Sequence, residues 1–135
     1  MRALIVEDST VMRKVVERAL GQAGFLFTEV LHAANGIEAL EALRRDEGNA
    51  PPLRLILSDI NMPEMNGVQF LESRRTENLA MGVPAVMISA EGTQSMVLSA
   101  ISAGAQGYIC KPFTAEQLRL RISPLLRQSE LLENI

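Results

Sequence analysis

Five polar residues of this 135-residue chain stand at the ends of short apolar runs, and their types suit chemistry on phosphate. They comprise three carboxylates, a hydroxyl and an ammonium: Glu7, Asp8, Asp59, Ser89 and Lys111. Two like charges about 4 Å apart repel by roughly 1 kcal/mol in water and by about 4 kcal/mol at an effective dielectric of 20. A cluster of carboxylates therefore favours a bound cation. Oxygen ligands select a hard ion, and Mg²⁺ is the natural candidate because it keeps waters that phosphoryl oxygens can replace.

A carboxylate beside such an ion can attack phosphorus and form an aspartyl phosphate, and Asp59 is the candidate nucleophile. Lys111 and Ser89 would then stabilise charge on the transferred oxygens. Each residue type also has an ordinary structural explanation, since acidic residues and serines cap helices, aspartates occupy turns and lysines are usually solvated. The joint placement at successive strand ends favours the chemical interpretation, because independent structural causes would rarely produce it.

The elements that must position these residues are short apolar strands that alternate with amphipathic helices. The strands are predicted at residues 4–6, 27–33, 53–57, 85–88 and 107–110. Runs this short and this apolar are typical of a parallel sheet that is buried on both faces. Between them apolar residues recur at helical spacing, beginning with Val11, Val15 and Val16. The sequence therefore predicts an α/β fold of right-handed βαβ units, with ligands bound beyond the carboxyl ends of the strands.

Turn residues indicate where the helices begin and end. We interpret Asn35-Gly36 as a strand-to-helix turn, because helical rather than alternating spacing follows it. Gly24 is predicted to end the first helix and Gly104 the fourth. Residues 45–52, with their charges and two prolines, form the clearest predicted loop.

The composition is that of an ordinary folded domain, with 47% hydrophobic and 21% charged residues. A net charge of -3 provides no overall positive field, so we expect neither nucleic acid nor a membrane as a direct partner. The single cysteine, Cys110, cannot form an internal disulfide and lies in an apolar run, so we expect a buried thiol and a cytoplasmic protein. One domain is predicted at residues 1–126, and residues 127–135 are predicted to be the end of the last helix or a tail.

Four motifs together resemble the receiver domains of bacterial two-component systems. They are Leu4-Ile5-Val6-Glu7-Asp8-Ser9, Leu57-Ser58-Asp59-Ile60-Asn61-Met62-Pro63 with Gly67, Ile88-Ser89-Ala90, and Tyr108-Ile109-Cys110-Lys111-Pro112-Phe113. The resemblance runs from about Arg2 to Leu126, and its details are similar to single-domain chemotaxis regulators. It implies a flavodoxin-like, doubly wound (βα)5 fold with strand order 2-1-3-4-5. It also implies a phosphorylation-activated signalling switch that catalyses only its own phosphorylation and dephosphorylation.

The resemblance implies a role for each residue of the site. Asp59 would be the phosphoacceptor. Mg²⁺ would be held by oxygen ligands from four residues: Glu7, Asp8, Asp59 and, through its backbone carbonyl, Asn61. Lys111 would pair with a phosphoryl oxygen, and its bond to Pro112 would be cis as in relatives. Glu7 stands where many members have aspartate, so direct contact with the metal and contact through water both stay open.

Other positions would move the switch or set its timing. Ser89 would bind a phosphoryl oxygen and turn inward when Asp59 is modified, and Tyr108 would swing between exposed and buried states with it. Asn61 and Glu91 would set the lifetime of the phosphoryl group, because a neighbouring side chain can admit or exclude the hydrolytic water. A histidine kinase or phosphotransfer protein would be the donor. A protein partner of unknown identity would bind the face made by the fourth helix, the fifth strand and the fifth helix.

Alternative functions have specific sequence requirements. The chain could be the receiver piece of a larger regulator whose output domain is missing. An aspartate-nucleophile phosphohydrolase of the haloacid-dehalogenase type usually needs a second acid two residues after the nucleophile, where this chain has Asn61. A flavin or nucleotide carrier would need a glycine-rich first turn, where this chain has the acidic stretch 7–10.

Overall fold

Five parallel strands form one sheet at the centre of the protein, in the order β2-β1-β3-β4-β5. The computed structural model describes residues 1–90 and 92–133, and for residues 127–133 it describes the backbone alone. The strands are β1 (Arg2–Val6), β2 (Glu29–Ala33), β3 (Leu53–Asp59), β4 (Ala85–Ser89) and β5 (Gly107–Cys110). The helices are α1 (Thr10–Gln22), α2 (Gly36–Asp46), α3 (Gly67–Thr76), α4 (Gln94–Ser102) and α5 (Ala115–Glu133). The predicted α/β class, parallel sheet and strand order are confirmed.

Two hydrophobic cores lie on opposite faces of the sheet. Because successive strand residues point to opposite faces, Leu4 belongs to the core under α2, α3 and α4, whereas Ile5 belongs to the core under α1 and α5. Both residues are fully buried. The central strands therefore have no exposed face, which explains why their sequences are continuous apolar runs rather than alternating ones.

Side chains at the strand-to-helix turns fix where the helices begin. Ser9 caps α1 by accepting the N–H of Met12, and Asn35 caps α2 by accepting the N–H of Glu38. The prediction of a strand-to-helix turn at Asn35-Gly36 is therefore confirmed. Gly24 and Gly104 have φ of 97° and 113°, and each lies just after the end of a helix, as predicted for the first and fourth helices.

The sheet register brings the carboxyl ends of β1, β3, β4 and β5 to one edge. Val6 pairs with Ser58, Asp59 with Ile88, and Ser89 with Cys110. The polar residues at the ends of these strands consequently share one rim of the sheet. The start of α3 packs closely on this rim, because a Cβ atom at Gly67 would lie 2.2 Å from the carbonyl oxygen of Asp59.

Several local predictions differ from the structure. Val11 and Val15 are exposed, at 73% and 46%, because α1 buries the adjacent stripe that contains Val16. The prediction of a buried thiol is wrong, because Cys110 is the exposed last residue of β5. Helix α2 extends to Asp46, so the predicted loop is shorter than expected. No helix among the described residues combines the length and apolarity needed to cross a membrane.

Candidate functional site

Three strand ends position the groups at the centre of the site. Glu7 directly follows β1, and its N–H donates to the carbonyl of Ala33 at 2.9 Å. Asp59 is the last residue of β3. Lys111 directly follows β5, and its backbone N–H donates to the carbonyl of Ser89 at 2.8 Å. Backbone hydrogen bonds to neighbouring strands therefore fix the positions of Glu7 and Lys111, and Asp59 is held within β3 itself.

The Lys111 ammonium lies between two of the carboxylates. Its Nζ is 3.0 Å from Oδ2 of Asp59 and 3.4 Å from Oε2 of Glu7. The other carboxylate oxygen of Asp59, Oδ1, accepts the backbone N–H of Ile60 at 2.7 Å. The two oxygens of Asp59 thus have different partners, which fixes the plane of the carboxylate. The structure brings together the acid and the lysine that the sequence assigned to one site.

The acidic residues fit the requirements of a divalent metal ion. Glu7, Asp8 and Asp59 each offer a carboxylate oxygen, and these oxygens all lie within 4.8 Å of one another. Two ligands on opposite sides of Mg²⁺ are separated by roughly 4 Å, so three such oxygens could share one ion after small side-chain movements. Glu7 is buried, whereas Asp8 is exposed at the mouth of the site. The donor set contains only oxygen atoms, which suits a hard cation.

Burial and like charge shift the proton affinity of Glu7. The residue is 6% exposed, and burial together with the adjacent Asp59 carboxylate raises the pKa of its carboxyl to about 7. The charge of Lys111 and the N–H of Ser9 act in the opposite direction with smaller effect. For Lys111, burial opposes the charged form, but the hydrogen bond to Asp59 and the two negative charges raise its pKa above the ordinary value. Near neutral pH, the single ammonium of Lys111 therefore does not balance the carboxylates around it, which favours binding of a cation.

The remaining predicted site residues lie on or near the same rim. Ser89 is fully buried at the end of β4, and Tyr108 is half-buried in β5. Asn61 is exposed in the loop that follows β3. The peptide bond between Lys111 and Pro112 is cis, as predicted. Glu91 lies outside the described residues.

The structure also links α1 to the site in a way that the sequence analysis missed. The guanidinium of Arg13 donates to the carbonyl oxygen of Glu7 at 2.6 Å and to Oγ1 of Thr10 at 3.2 Å. The N–H of Ser9 donates to Oε1 of Glu7 at 3.2 Å. A cation near the start of a helix interacts unfavourably with the helix dipole. The position of Arg13 in the sequence, close to the start of a predicted helix, could therefore have indicated a role outside that helix.

Comparison with known proteins places this geometry in a family. Residues 3–123 match the family described as response regulator receiver domain. The chain belongs to this family. The chemotaxis protein CheY1 of Helicobacter pylori is 36% identical to this receiver domain over 126 residues, which cover 93% of this chain and 97% of the relative.

Solved structures of CheY-like proteins share the fold of this receiver domain. A CheY-like response regulator receiver domain protein of Methanospirillum hungatei has a TM-score of 0.78 and 29% identity, covering 96% of this chain and 95% of the other. The Borrelia burgdorferi complex described as CheX-CheY-BeF3-Mg+2 contains a chain with a TM-score of 0.77 and 26% identity, covering 93% of this chain and 88% of that one. Receiver domains are signalling proteins rather than classical enzymes, so the site is one of regulation.

Proposed function

We propose that Asp59 accepts a phosphoryl group in a Mg²⁺-dependent reaction and that this modification switches the domain between two states. The observation that carries the proposal is the contact of Lys111 with Asp59 at 3.0 Å, within a cluster of three carboxylates that could hold one divalent ion. Glu7, Asp8 and Asp59, with the backbone carbonyl of Asn61, would supply the ligands. We assign the domain to residues 1–126 and residues 127–135 to the end of its last helix or a tail.

The chemistry would be a single displacement at phosphorus. A carboxylate oxygen of Asp59 forms the new bond to phosphorus while the bond from phosphorus to the donor's leaving atom breaks, and the electron pair of that bond departs with the leaving group. When bound, the divalent ion neutralises charge on the phosphoryl oxygens. Lys111 already lies at hydrogen-bond distance from Asp59, so its ammonium can follow the added negative charge with little rearrangement.

Phosphorylation of Asp59 would change the conformation of residues on the neighbouring strands β4 and β5. Ser89 is buried at the end of β4, next to the strand that carries Asp59, and we propose that its hydroxyl donates to a phosphoryl oxygen in the modified state. Tyr108 lies on the neighbouring strand β5 and would move inward when Ser89 turns. Each state would then present a different surface to partners, which is how a local charge change is converted into a binding signal.

The face formed by α4, β5 and α5 has the properties of an output surface. Leu98, Ile101 and Leu120 are each more than half exposed on its helices. Helix α4, with the sequence Gln-Ser-Met-Val-Leu-Ser-Ala-Ile-Ser, has no charged residue. Exposed apolar patches of this kind mark protein interaction sites. We propose this face as the binding site for the downstream protein.

A protein phosphodonor would approach through a groove beside Lys111. The groove has a volume of about 860 Å³ and lies between α1 and the loop after β5, with Val11, Val15 and Phe113 among its lining residues. Lys14 adds a positive charge that suits an anionic phosphohistidine. We expect Val11→Asp to slow transfer from a phosphohistidine protein without changing the reaction with acetyl phosphate. Equal slowing of both reactions would contradict this assignment of the groove.

Intact-protein mass spectrometry tests the proposed function. Incubation with acetyl phosphate and Mg²⁺ should add one acid-labile phosphoryl group, and chelation of the metal should prevent it. Asp59→Asn should abolish the addition, whereas Glu72→Gln, which changes an exposed carboxylate on α3, should not. Addition of the same group to the Asp59→Asn protein would overturn the assignment of the acceptor.

A further inference from the structure

A side chain from α1 folds back onto the loop that carries Glu7 and Asp8. Arg13 is partly buried, and its Nη1 donates to the carbonyl oxygen of Glu7 at 2.6 Å. Its Nη2 donates to Oγ1 of Thr10 at 3.2 Å. The guanidinium therefore spans the junction between β1 and α1 instead of extending into solvent.

Helix stability does not explain this position. The N-terminus of a helix carries partial positive charge, so a cation near it is unfavourable. Helix α1 has no acidic residue in its first turn that would offset the charge of Arg13. A residue that opposes the local preference of its own helix is expected to have a role outside that helix.

The hydrogen bond from Arg13 acts on the acidic residues through the backbone. The carbonyl of Glu7 belongs to the planar peptide unit that joins Glu7 to Asp8, so holding this oxygen restricts the direction in which both residues leave the strand. Two further hydrogen bonds restrict the same loop: the N–H of Glu7 donates to Ala33, and the N–H of Ser9 donates to the Glu7 carboxylate. The bond from Arg13 has a charged donor and is therefore stronger than the neutral backbone bond between Glu7 and Ala33.

We propose that Arg13 is a positioning residue for the metal pocket, holding the Glu7-Asp8 peptide so that both carboxylates converge with Asp59. This inference rests on the proposed function, since it concerns the same pocket. Arg13 would not touch the metal or the phosphoryl group. By its charge alone, Arg13 would repel Mg²⁺ and weaken metal binding. By holding the loop, it would orient the carboxylate ligands and strengthen metal binding. The two effects therefore have opposite signs.

Titration of variants with Mg²⁺, followed by NMR chemical shifts, distinguishes these two effects. We expect Arg13→Ala to raise the Kd for Mg²⁺ about tenfold, as for other residues that orient metal ligands. Arg18→Ala removes the same charge from an exposed position of the same helix and should leave the Kd unchanged or slightly lower. Arg13→Lys keeps the charge but not the planar fork, so its Kd should lie between those of the wild type and Arg13→Ala. An unchanged or lower Kd for Arg13→Ala would overturn the proposal.

Hydrogen exchange in the metal-free protein provides a second readout. The amide of Ser9 should exchange faster in Arg13→Ala than in the wild type, while amides in the middle of β3 keep their protection. Equal exchange at Ser9 would also overturn the proposal, and Arg13→Lys supplies the same comparison if the alanine variant does not fold. Failure of the wild type to bind Mg²⁺ would instead overturn the proposed function, because the Ser9 measurement does not depend on metal.

Discussion

Replacing Glu7 by glutamine should stabilise the metal-free protein, and the gain should depend on pH. Burial and the Asp59 carboxylate raise the pKa of Glu7 from 4.5 to about 7 in the folded state. Because the folded state holds this proton more tightly than the unfolded chain, the free energy of unfolding must fall as the pH rises through that interval. At 1.36 kcal/mol for each pKa unit, the loss amounts to about 3 kcal/mol. Glutamine keeps the shape of the protonated side chain and cannot ionise.

Urea unfolding in the presence of a chelator measures this effect. The transition is followed by far-ultraviolet circular dichroism, because the chain has no tryptophan. We expect the stability difference between Glu7→Gln and the wild type to grow by about 2.5 kcal/mol between about pH 5 and about pH 8, since the first part of the loss occurs below pH 5. At the higher pH, Mg²⁺ at 100 times its Kd should raise the free energy of unfolding of the wild type by about 2.7 kcal/mol. The increase should be smaller for the variant. A stability difference that is the same at both pH values would refute the electrostatic reasoning about Glu7.

Three further substitutions test other parts of the site. Lys111→Ala should leave the fold intact but disconnect phosphorylation from partner binding, because the ammonium that pairs with the added charge is lost; an unchanged gain in partner affinity on phosphorylation would refute this role. Gly67→Ala should destabilise the protein by about 1–3 kcal/mol in urea unfolding, because its Cβ would meet a backbone carbonyl at 2.2 Å, whereas Gly82→Ala, where nothing lies within 4 Å of the new Cβ, should not. Exchanging Asn61 and Glu91 for other side chains should change the rate at which the phosphoryl group is lost, measured by mass spectrometry over time; an unaltered rate would reject both as lifetime-setting positions.

The sequence predicted the sheet and the convergence of the site because both depend on simple periodicities. Strands buried on both faces are continuous apolar runs, and parallel strands end at the same edge. Once Asp59 and Lys111 were placed at the ends of two such strands, their proximity followed from the topology. The strand order itself was implied by the family resemblance rather than by the spacing of the runs.

Features that depend on three-dimensional packing were not predictable in the same way. Helical spacing identified an apolar stripe on α1 but could not show that Val11 and Val15 lie at its exposed border, where they line the groove. The apolar neighbours of Cys110 gave no sign that its side chain faces outward at the end of β5. The raised pKa of Glu7 and the contact of Arg13 with its carbonyl arise from distances between atoms, which no spacing of residues along a chain specifies.

An NMR titration of the isotope-labelled protein with Mg²⁺ tests most directly whether the three carboxylates form one metal pocket. We predict saturable shifts confined to the backbone amides around residues 7–9, 59–61 and 111, and the loss of these shifts in Asp8→Asn. Shifts that do not saturate, or that occur at acidic residues elsewhere on the surface, would contradict a shared magnesium site beside Asp59.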